Sequence, residues 1–163
     1  MQLHPAIRDI VVDGINAIES VHLAPNICIR VTQGYRSPQE QNALFAQGRT
    51  APGRIVTNSR AFQSFHNYRL AFDFALMYDK DGNGTYETVS WDTKLDFDKN
   101  GKADWMCVVS DFKALGFVWG GDFRRMPDSP HFERTFGFTW QQLKQRHDAK
   151  MFIPGTQFIN LTR

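Results

Sequence analysis

The sequence has 163 residues, of which 42% are apolar and 22% are charged, and its formal net charge is +2. This length and balance fit one soluble domain with its own core, and they exclude a disordered chain or a strongly basic tail. The aromatic share is 13%, but no cluster of Lys and Arg is interleaved with the rings, so no nucleic-acid partner is expected. We predict a single domain over residues 1–163 and a monomer.

The apolar runs, the N-terminal residues and the cysteines further restrict the expected location and partners of the protein. No run approaches the roughly 18–20 apolar residues that span a bilayer, so we expect no membrane partner. Met1 to Pro5 lack the basic and apolar segments of a signal peptide. We therefore expect synthesis in the cytoplasm, with another exit route if the protein works outside. Cys28 and Cys107 lie far apart in sequence, which leaves open a disulfide or two buried thiols.

The first third of the chain carries patterns for a helix, a strand and a second helix. Apolar residues at three- and four-residue steps predict an amphipathic helix over 4–21. The alternating, β-branched run at 27–32 predicts a strand. The Ser37-Pro38 pair is typical of a helix start, and the helix should end near Gly48. Residues 49–63 are predicted as an ordered surface loop.

The next strand is predicted over Leu70–Tyr78, and its alternation is informative. Large apolar residues recur on one face, whereas Asp73 shares the other face with Ala71 and Ala75. Small neighbours leave room for a ligand beside the Asp73 carboxylate. The remaining predicted elements are a strand, a helix, two short strands joined by a Gly-Gly loop, and a last helix, over 86–91, 104–115, 117–119, 130–133 and 139–147. This order predicts an α+β domain.

Three residues form a candidate metal site. His66 precedes the second strand, Asp73 lies seven residues later, and His131 follows an aromatic-glycine loop. Hydrolytic zinc sites use three such deprotonated ligands, with an open position for water. The spacing alone leaves open that these side chains are structural, because a His and an Asp seven residues apart often occur by chance. The other three histidines lie near predicted helix ends.

Several sequence blocks together resemble one known family. Ser64-x-His66-x6-Asp73, with Asp128-x-x-His131 later in the chain, resembles the zinc signature of the LAS metallopeptidases. It is most similar to the VanY-type branch, which includes the D-Ala-D-Ala carboxypeptidases and the bacterial and phage L-alanyl-D-glutamate endopeptidases. The resemblance extends, in family order, over blocks at 34–41, 44–49, 56–58, 66–67, 71–74, 119–123 and 130–132.

The resemblance implies roles for particular residues. Zinc would be bound by the candidate site's two histidines and Asp73, while Asp128 matches the family's catalytic carboxylate. Arg36 matches the arginine that binds substrate or stabilises developing negative charge. Ser64 and Trp119 would lie beside the substrate. One position departs from the family, which usually has Gly three residues after the first ligand, where this chain has Arg69. Arg69 could bend that loop or point into the groove.

The resemblance also implies a fold and a function. We expect a small antiparallel sheet with flanking helices, of the hedgehog and D-Ala-D-Ala peptidase type. The implied enzyme is a zinc metallopeptidase that cleaves the L-Ala–D-Glu bond of peptidoglycan, as a phage endolysin that acts at the cell wall or periplasm after release. The alternatives are a D-Ala-D-Ala carboxypeptidase of wall remodelling and a non-catalytic wall-binding or structural phage protein of the same fold.

Two acidic segments resemble the first half of a calcium-binding EF-hand loop. They are Asp79-x-Asp81-x-Asn83-Gly84 and Asp96-x-Asp98-x-Asn100-Gly101. Their twelfth positions hold Ser90 and Cys107, where an EF-hand has a bidentate Glu. Asn-Gly pairs also form tight turns without any ion. We predict turns at both segments, and calcium at one or both is the alternative hypothesis.

Overall fold

A five-stranded antiparallel sheet lies at the centre of the computed structural model, which describes residues 2–162. The strands are β1 Ile27–Gln33, β2 Ala71–Tyr78, β3 Thr88–Ser90, β4 Val118–Trp119 and β5 His131–Glu133. The sheet order is β1-β2-β5-β4, and β3 pairs with β2. This confirms the predicted α+β class; residues 1 and 163 of the predicted domain lie outside the described residues.

The helices are α1 Pro5–Val21, α2 Pro38–Ala46, α3 Asp104–Ala114 and α4 Trp140–Asp148, with 3-10 helices at Phe65–Tyr68 and Gly120–Asp122. Their starts follow from capping chemistry. The Ser37 side chain accepts from the Glu40 backbone N–H at 3.2 Å, and the Glu40 carboxylate accepts from the Ser37 N–H at 2.7 Å. At α1, His4 Nδ1 accepts from the Ala6 N–H, and its Nε2 donates to the Ile159 carbonyl. The predicted helices are therefore confirmed, whereas the 3-10 helices were not predicted.

The core lies on one face of the sheet, against α1 and α3. Phe72 packs on Phe112 with 5.0 Å between ring centroids, and Phe74 stacks on Trp105 at 4.1 Å. All four rings are buried. Slipping β2 by one residue would move its aromatic side chains to the other face, so burial of this face fixes the register of the strand.

The opposite face of the sheet carries a row of polar side chains. Asp73 is the direct register partner of Gln33 on β1 and of His131 on β5. Partners in an antiparallel ladder point to the same face, so these three side chains lie side by side. A β-bulge at Thr32 contributes to this row, because β1 advances from Val31 to Gln33 while β2 moves one residue. The register that buries the aromatic side chains of β2 therefore also places these polar side chains together on the opposite face.

Two further expectations concern cysteines and membranes. Cys28 and Cys107 are free thiols, each half-buried, so of the two alternatives the disulfide is absent. Nowhere in residues 2–162 is there a helix with the length and apolar content to cross a membrane.

Candidate metal centre

The structure brings together the three candidate ligands from three different elements. His66 comes from the first 3-10 helix, Asp73 from β2 and His131 from β5. Asp73 Oδ1 lies 3.0 Å from His66 Nε2 and 3.1 Å from His131 Nδ1, and the two nitrogens are 3.1 Å apart. Both imidazoles are buried, with 1% and 6% exposure.

In each imidazole, the hydrogen bond of the outer nitrogen determines whether the inner nitrogen carries a proton or a lone pair. His66 Nδ1 lies 2.6 Å from the Gly34 carbonyl oxygen, which can only accept, so Nδ1 carries the proton. His131 Nε2 lies 3.1 Å from the Glu133 carboxylate and donates to it in the same way. Each neutral imidazole therefore turns a lone pair inward, which is the arrangement that metal-ligating histidines adopt.

Three acceptors within hydrogen-bond distance repel one another unless a positive charge joins them. Without a metal ion, a proton can supply this charge. Burial would raise the pKa of the Asp73 carboxyl, but protonated His131 and His66 would donate to Asp73 and lower it. Burial would likewise lower the pKa of His131, yet its bonds to Asp73 and Glu133 raise it to about 9, so His131 carries that proton when no metal ion is bound. The cluster thus attracts a cation. Ligand bonds of 2.0–2.2 Å in a tetrahedral zinc site give edges of roughly 3.3–3.5 Å, a few tenths of an ångström longer than those observed.

A cleft of about 160 Å³ opens beside the cluster. Its lining includes the two histidines together with Arg36, Ser64 and Asp128. Ser64 also caps the 3-10 helix, since its Oγ accepts from the His66 backbone N–H at 3.3 Å. The structure therefore places these three predicted site residues at the cleft.

Asp128 is an exposed residue whose side chain lines the cleft. Partial desolvation in the cleft raises the pKa of its carboxyl, and the negative charge of Asp73 raises it further. Its backbone N–H donates to the Gly120 carbonyl at 2.9 Å. A Cβ at Gly120 would lie 2.5 Å from the Asp128 carbonyl oxygen, so the turn that carries Asp128 requires glycine there.

Arg36 donates to the outer oxygen of a candidate metal ligand, Asp73. Its Nη2 donates to Asp73 Oδ2 at 3.2 Å and to Gln33 Oε1 at 3.0 Å, and its Nη1 donates to Gln41 Oε1 at 3.1 Å. The sequence did not predict this contact with Asp73. The predicted role of Arg36 towards substrate stays a prediction.

Trp119 departs from its prediction as a substrate-binding residue. It is the register partner of Phe132, a core residue, so it stands on the face opposite Asp73 and His131. Its indole N–H donates to the Ser129 carbonyl at 2.7 Å. Within the described residues the cleft lining does not include it. The correction follows from strand register, which the sequence pattern of a two-residue strand could not set.

Arg69 points away from the cleft. Its guanidinium lies 3.8 Å from the ring centroid of Tyr35, and it ends the 3-10 helix with φ of 62°. This left-handed conformation favours glycine, which explains the residue usual in the family. Arg69 therefore affects the side of the site that lies away from the cleft, and not the substrate groove.

The two acidic segments form turns that satisfy their own carboxylates. Asp79 accepts from the Gly82 and Gly84 N–H groups, each at 2.8 Å. Asp96 accepts from the Asn100 and Gly101 N–H groups at 3.0 and 2.9 Å. The predicted partners Asp81, Asn83 and Asp98 lie within the same turns.

A third acid joins each turn. Oxygens of Asp79, Asp81 and Glu87 lie within 4.8 Å of one another, as do those of Asp96, Asp98 and Asp104. Glu87 and Asp104 both occupy the ninth position of the EF-hand-like pattern, and neither was among the predicted calcium ligands. Calcium binding at these turns stays a hypothesis.

A buried pair of histidines and a carboxylate, at the wall of a cleft with a second acid, defines a metal-dependent hydrolase. The comparisons with known proteins agree. A family model described as D-alanyl-D-alanine carboxypeptidase matches residues 57–134, which include all three candidate ligands. The chain is 45% identical over 131 residues to the peptidoglycan L-alanyl-D-glutamate endopeptidase CwlK of Bacillus subtilis (strain 168), a match that covers 80% of this chain and 72% of CwlK.

The chain therefore belongs to the D-alanyl-D-alanine carboxypeptidase family of metallopeptidases, which confirms the family expected from the sequence. Its fold matches the crystal structure of the Serratia marcescens L-Ala D-Glu endopeptidase ChiX with a TM-score of 0.51. That match covers 82% of this chain and 81% of ChiX at 21% identity, so it supports the fold alone.

Proposed function

We propose that the protein is a zinc-dependent peptidoglycan hydrolase that cleaves the L-Ala–D-Glu bond of the stem peptide. The observation that carries the proposal is the convergence of three acceptor atoms, on His66, Asp73 and His131, with both imidazole tautomers fixed from outside. The identity to CwlK supports the choice of bond.

The residues present fit zinc better than a harder cation. Two imidazole nitrogens and one carboxylate oxygen are a ligand set that zinc accepts, whereas calcium and magnesium prefer oxygen ligands alone. When bound, zinc would lower the pKa of a coordinated water towards about 7 and polarise the scissile carbonyl. His66, Asp73 and His131 would hold it.

Asp128 is proposed as the general base and then the general acid. Its carboxylate lines the cleft and would accept the proton of the attacking water. The same carboxyl would return that proton to the leaving amine, whose departure breaks the peptide bond. A raised pKa suits both steps, because it strengthens the base and keeps proton return feasible.

Arg36 is proposed to stabilise negative charge that develops on the substrate carbonyl. Its guanidinium lines the cleft wall and is only 12% exposed, so its charge acts in a poorly solvated environment. Ser64, which also lines the cleft, is proposed to contact the substrate beside the scissile bond.

The proposed partner is peptidoglycan, met by a monomer at the cell wall or periplasm after release. The net charge of +2 favours approach to an anionic polymer. We propose a phage endolysin as the biological setting, with a bacterial wall-remodelling enzyme as the alternative.

The second candidate function is D-Ala-D-Ala carboxypeptidase, which the description of the matching family model favours. Mass spectrometry of digested muropeptides separates the two. The proposed endopeptidase leaves L-Ala on the glycan and releases peptides that begin with D-Glu, whereas a carboxypeptidase removes one terminal D-Ala. Chelator-treated protein is the control and should release neither. Release of D-Ala alone would contradict the proposed bond, and no product from zinc-loaded protein would favour the non-catalytic alternative.

A further inference from the structure

A glutamine is the buried residue of α2. Gln41 is 0% exposed, although the other side chains of this nine-residue helix are half-buried or exposed. Glutamine is seldom fully buried, since an amide that leaves water loses free energy unless hydrogen bonds replace its hydration. Its position therefore requires specific partners.

Both ends of the Gln41 amide have such a partner. Its Oε1 accepts from Arg36 Nη1 at 3.1 Å, and its Nε2 donates to the Ser59 carbonyl at 2.7 Å. A guanidinium can only donate and a carbonyl can only accept, so the two bonds fix the orientation of the amide. Apolar residues of similar size could fill the space but could make neither bond.

The two partners of Gln41 belong to different parts of the site. Arg36 connects Gln41 to Asp73, because Arg36 Nη2 donates to Asp73 Oδ2 at 3.2 Å. Ser59 lies in the cleft wall. Gln33, delivered by the β1 bulge, accepts from the same Nη2 at 3.0 Å. The guanidinium is thus held from two sides.

The segment that contains Ser59 is also bonded at neighbouring points to α2 and to the residues that follow this helix. The Ala61 backbone N–H donates to Asn42 Oδ1 at 2.9 Å, and Arg49 Nη1 donates to the Thr57 carbonyl at 3.0 Å. Gln41 differs from these two ties because its other bond leads to Arg36. It therefore couples the wall position to the guanidinium position.

We propose that Gln41 is a positioning residue, which sets Arg36 against Asp73 and holds the cleft wall at Ser59 at the same time. Gln41 does not itself line the cleft, and its two hydrogen bonds go to Arg36 and Ser59, so its effect on the site passes through these two residues. The kinetic part of the test rests on the proposed peptidase function.

A double-mutant cycle separates positioning from simple packing. Gln41→Met keeps the volume of the side chain and removes both bonds, and we expect kcat to fall about tenfold. In an Arg36→Ala background the same change should alter kcat less than twofold, because its target is gone. The matched control is Gln39→Met, on the exposed side of the same helix, which should leave kcat unchanged. An equal loss in both backgrounds would overturn the proposal.

Gln41→Glu tests which bond matters. Its carboxylate still accepts from Arg36 but cannot donate to the Ser59 carbonyl, so kcat should stay within threefold of wild type while KM rises. A kcat as low as that of Gln41→Met would count against positioning through the arginine. If Gln41→Met does not fold, Gln41→Asn, one methylene shorter, takes its place in the cycle.

A measurement that needs no turnover keeps the inference apart from the proposed function. The order parameter of the Arg36 Nε–Hε bond by NMR should fall in Gln41→Met and stay unchanged in Gln39→Met. An unaltered order parameter in Gln41→Met would overturn the positioning role, whatever the activity. Rigid Arg36 in a wild-type protein that cuts no muropeptide would instead refute the peptidase proposal alone.

Discussion

The metal centre and the two acidic turns both gather groups that bind cations, but they satisfy those groups in opposite ways. At the metal centre, His66, Asp73 and His131 face one another with acceptor atoms 3.0–3.1 Å apart. In the turns, the carboxylates of Asp79 and Asp96 point into backbone N–H groups of their own loops.

The difference teaches how to recognise a site that needs an ion. A carboxylate that already accepts two backbone N–H bonds is stable without a cation. The inner nitrogens of His66 and His131 converge on Asp73, while their outer nitrogens are bonded to Gly34 and Glu133. These converging acceptors have no comparable backbone hydrogen bonds to stabilise them. The orientation of neighbouring donors is therefore more informative than the number of acids.

The largest effect should come from Asp128, the carboxylate beside the candidate metal centre that is proposed as the general base. We expect Asp128→Asn to lower kcat by about 10²–10⁴-fold, because the substituted amide cannot accept the water's proton. Zinc content should stay at the wild-type level, since Asp128 is not part of the ligand cluster. Muropeptide turnover and metal analysis on the same preparation check both points. Normal cleavage would place the base elsewhere, with Glu133 as the next choice.

A smaller effect is expected from the residue that fixes the His131 tautomer. Glu133→Ala removes the acceptor of His131 Nε2, and loss of such a partner typically weakens metal binding about 10–100-fold. Competition with a chromophoric chelator measures the zinc affinity. Glu87→Ala, which removes an acid from the first turn, is the matched control and should leave the affinity unchanged. Equal zinc affinities in Glu133→Ala and Glu87→Ala would contradict the distinction drawn between the metal centre and the acidic turns.

The acidic turns should show no measurable calcium binding. Isothermal titration of metal-stripped protein should give no heat at millimolar calcium, because the loop N–H groups already occupy the carboxylates of Asp79 and Asp96. Heat that disappears in Asp104→Asn would instead support the calcium hypothesis and would show that the third acid, at the ninth position, completes a site.

The smallest effect is expected behind the metal centre. Arg69→Gly relieves a left-handed backbone conformation that costs about 1–2 kcal/mol and loses a cation–π contact of about 0.5–1 kcal/mol. The free energy of unfolding should therefore change by less than about 2 kcal/mol, and kcat/KM by less than twofold. Denaturant unfolding and muropeptide kinetics check the two values. A tenfold change in kcat/KM would show that Arg69 does act on the groove.

Most of the fold could be predicted because its signals are local. The caps at Ser37 and Thr139 and the apolar periods of α1 and α3 set those helices within a residue or two. Alternation in β2 correctly separated Asp73 from its aromatic neighbours. The 3-10 helix that carries His66 has no such period, because four residues are too few to show one.

The site was less predictable than the fold, because it depends on register and on backbone atoms. The resemblance predicted the ligands, but it could not show that the Gly34 carbonyl and Glu133 fix the tautomers of the two histidines. No sequence pattern indicated that Trp119 faces the core, because its direction is set by the pairing of a two-residue strand. Gln41 stood within a matching block, yet only the structure shows the burial and the two hydrogen bonds on which its proposed positioning role rests.

X-ray absorption at the zinc edge of the loaded protein tests most directly whether the three acceptors hold one ion. We predict one zinc per chain, with two imidazole nitrogens at about 2.0–2.1 Å and a carboxylate oxygen at about 2.0–2.2 Å. The imidazole signal should be halved in His131→Ala. Zinc bound without imidazole, or a spectrum unchanged in His131→Ala, would contradict the metal centre.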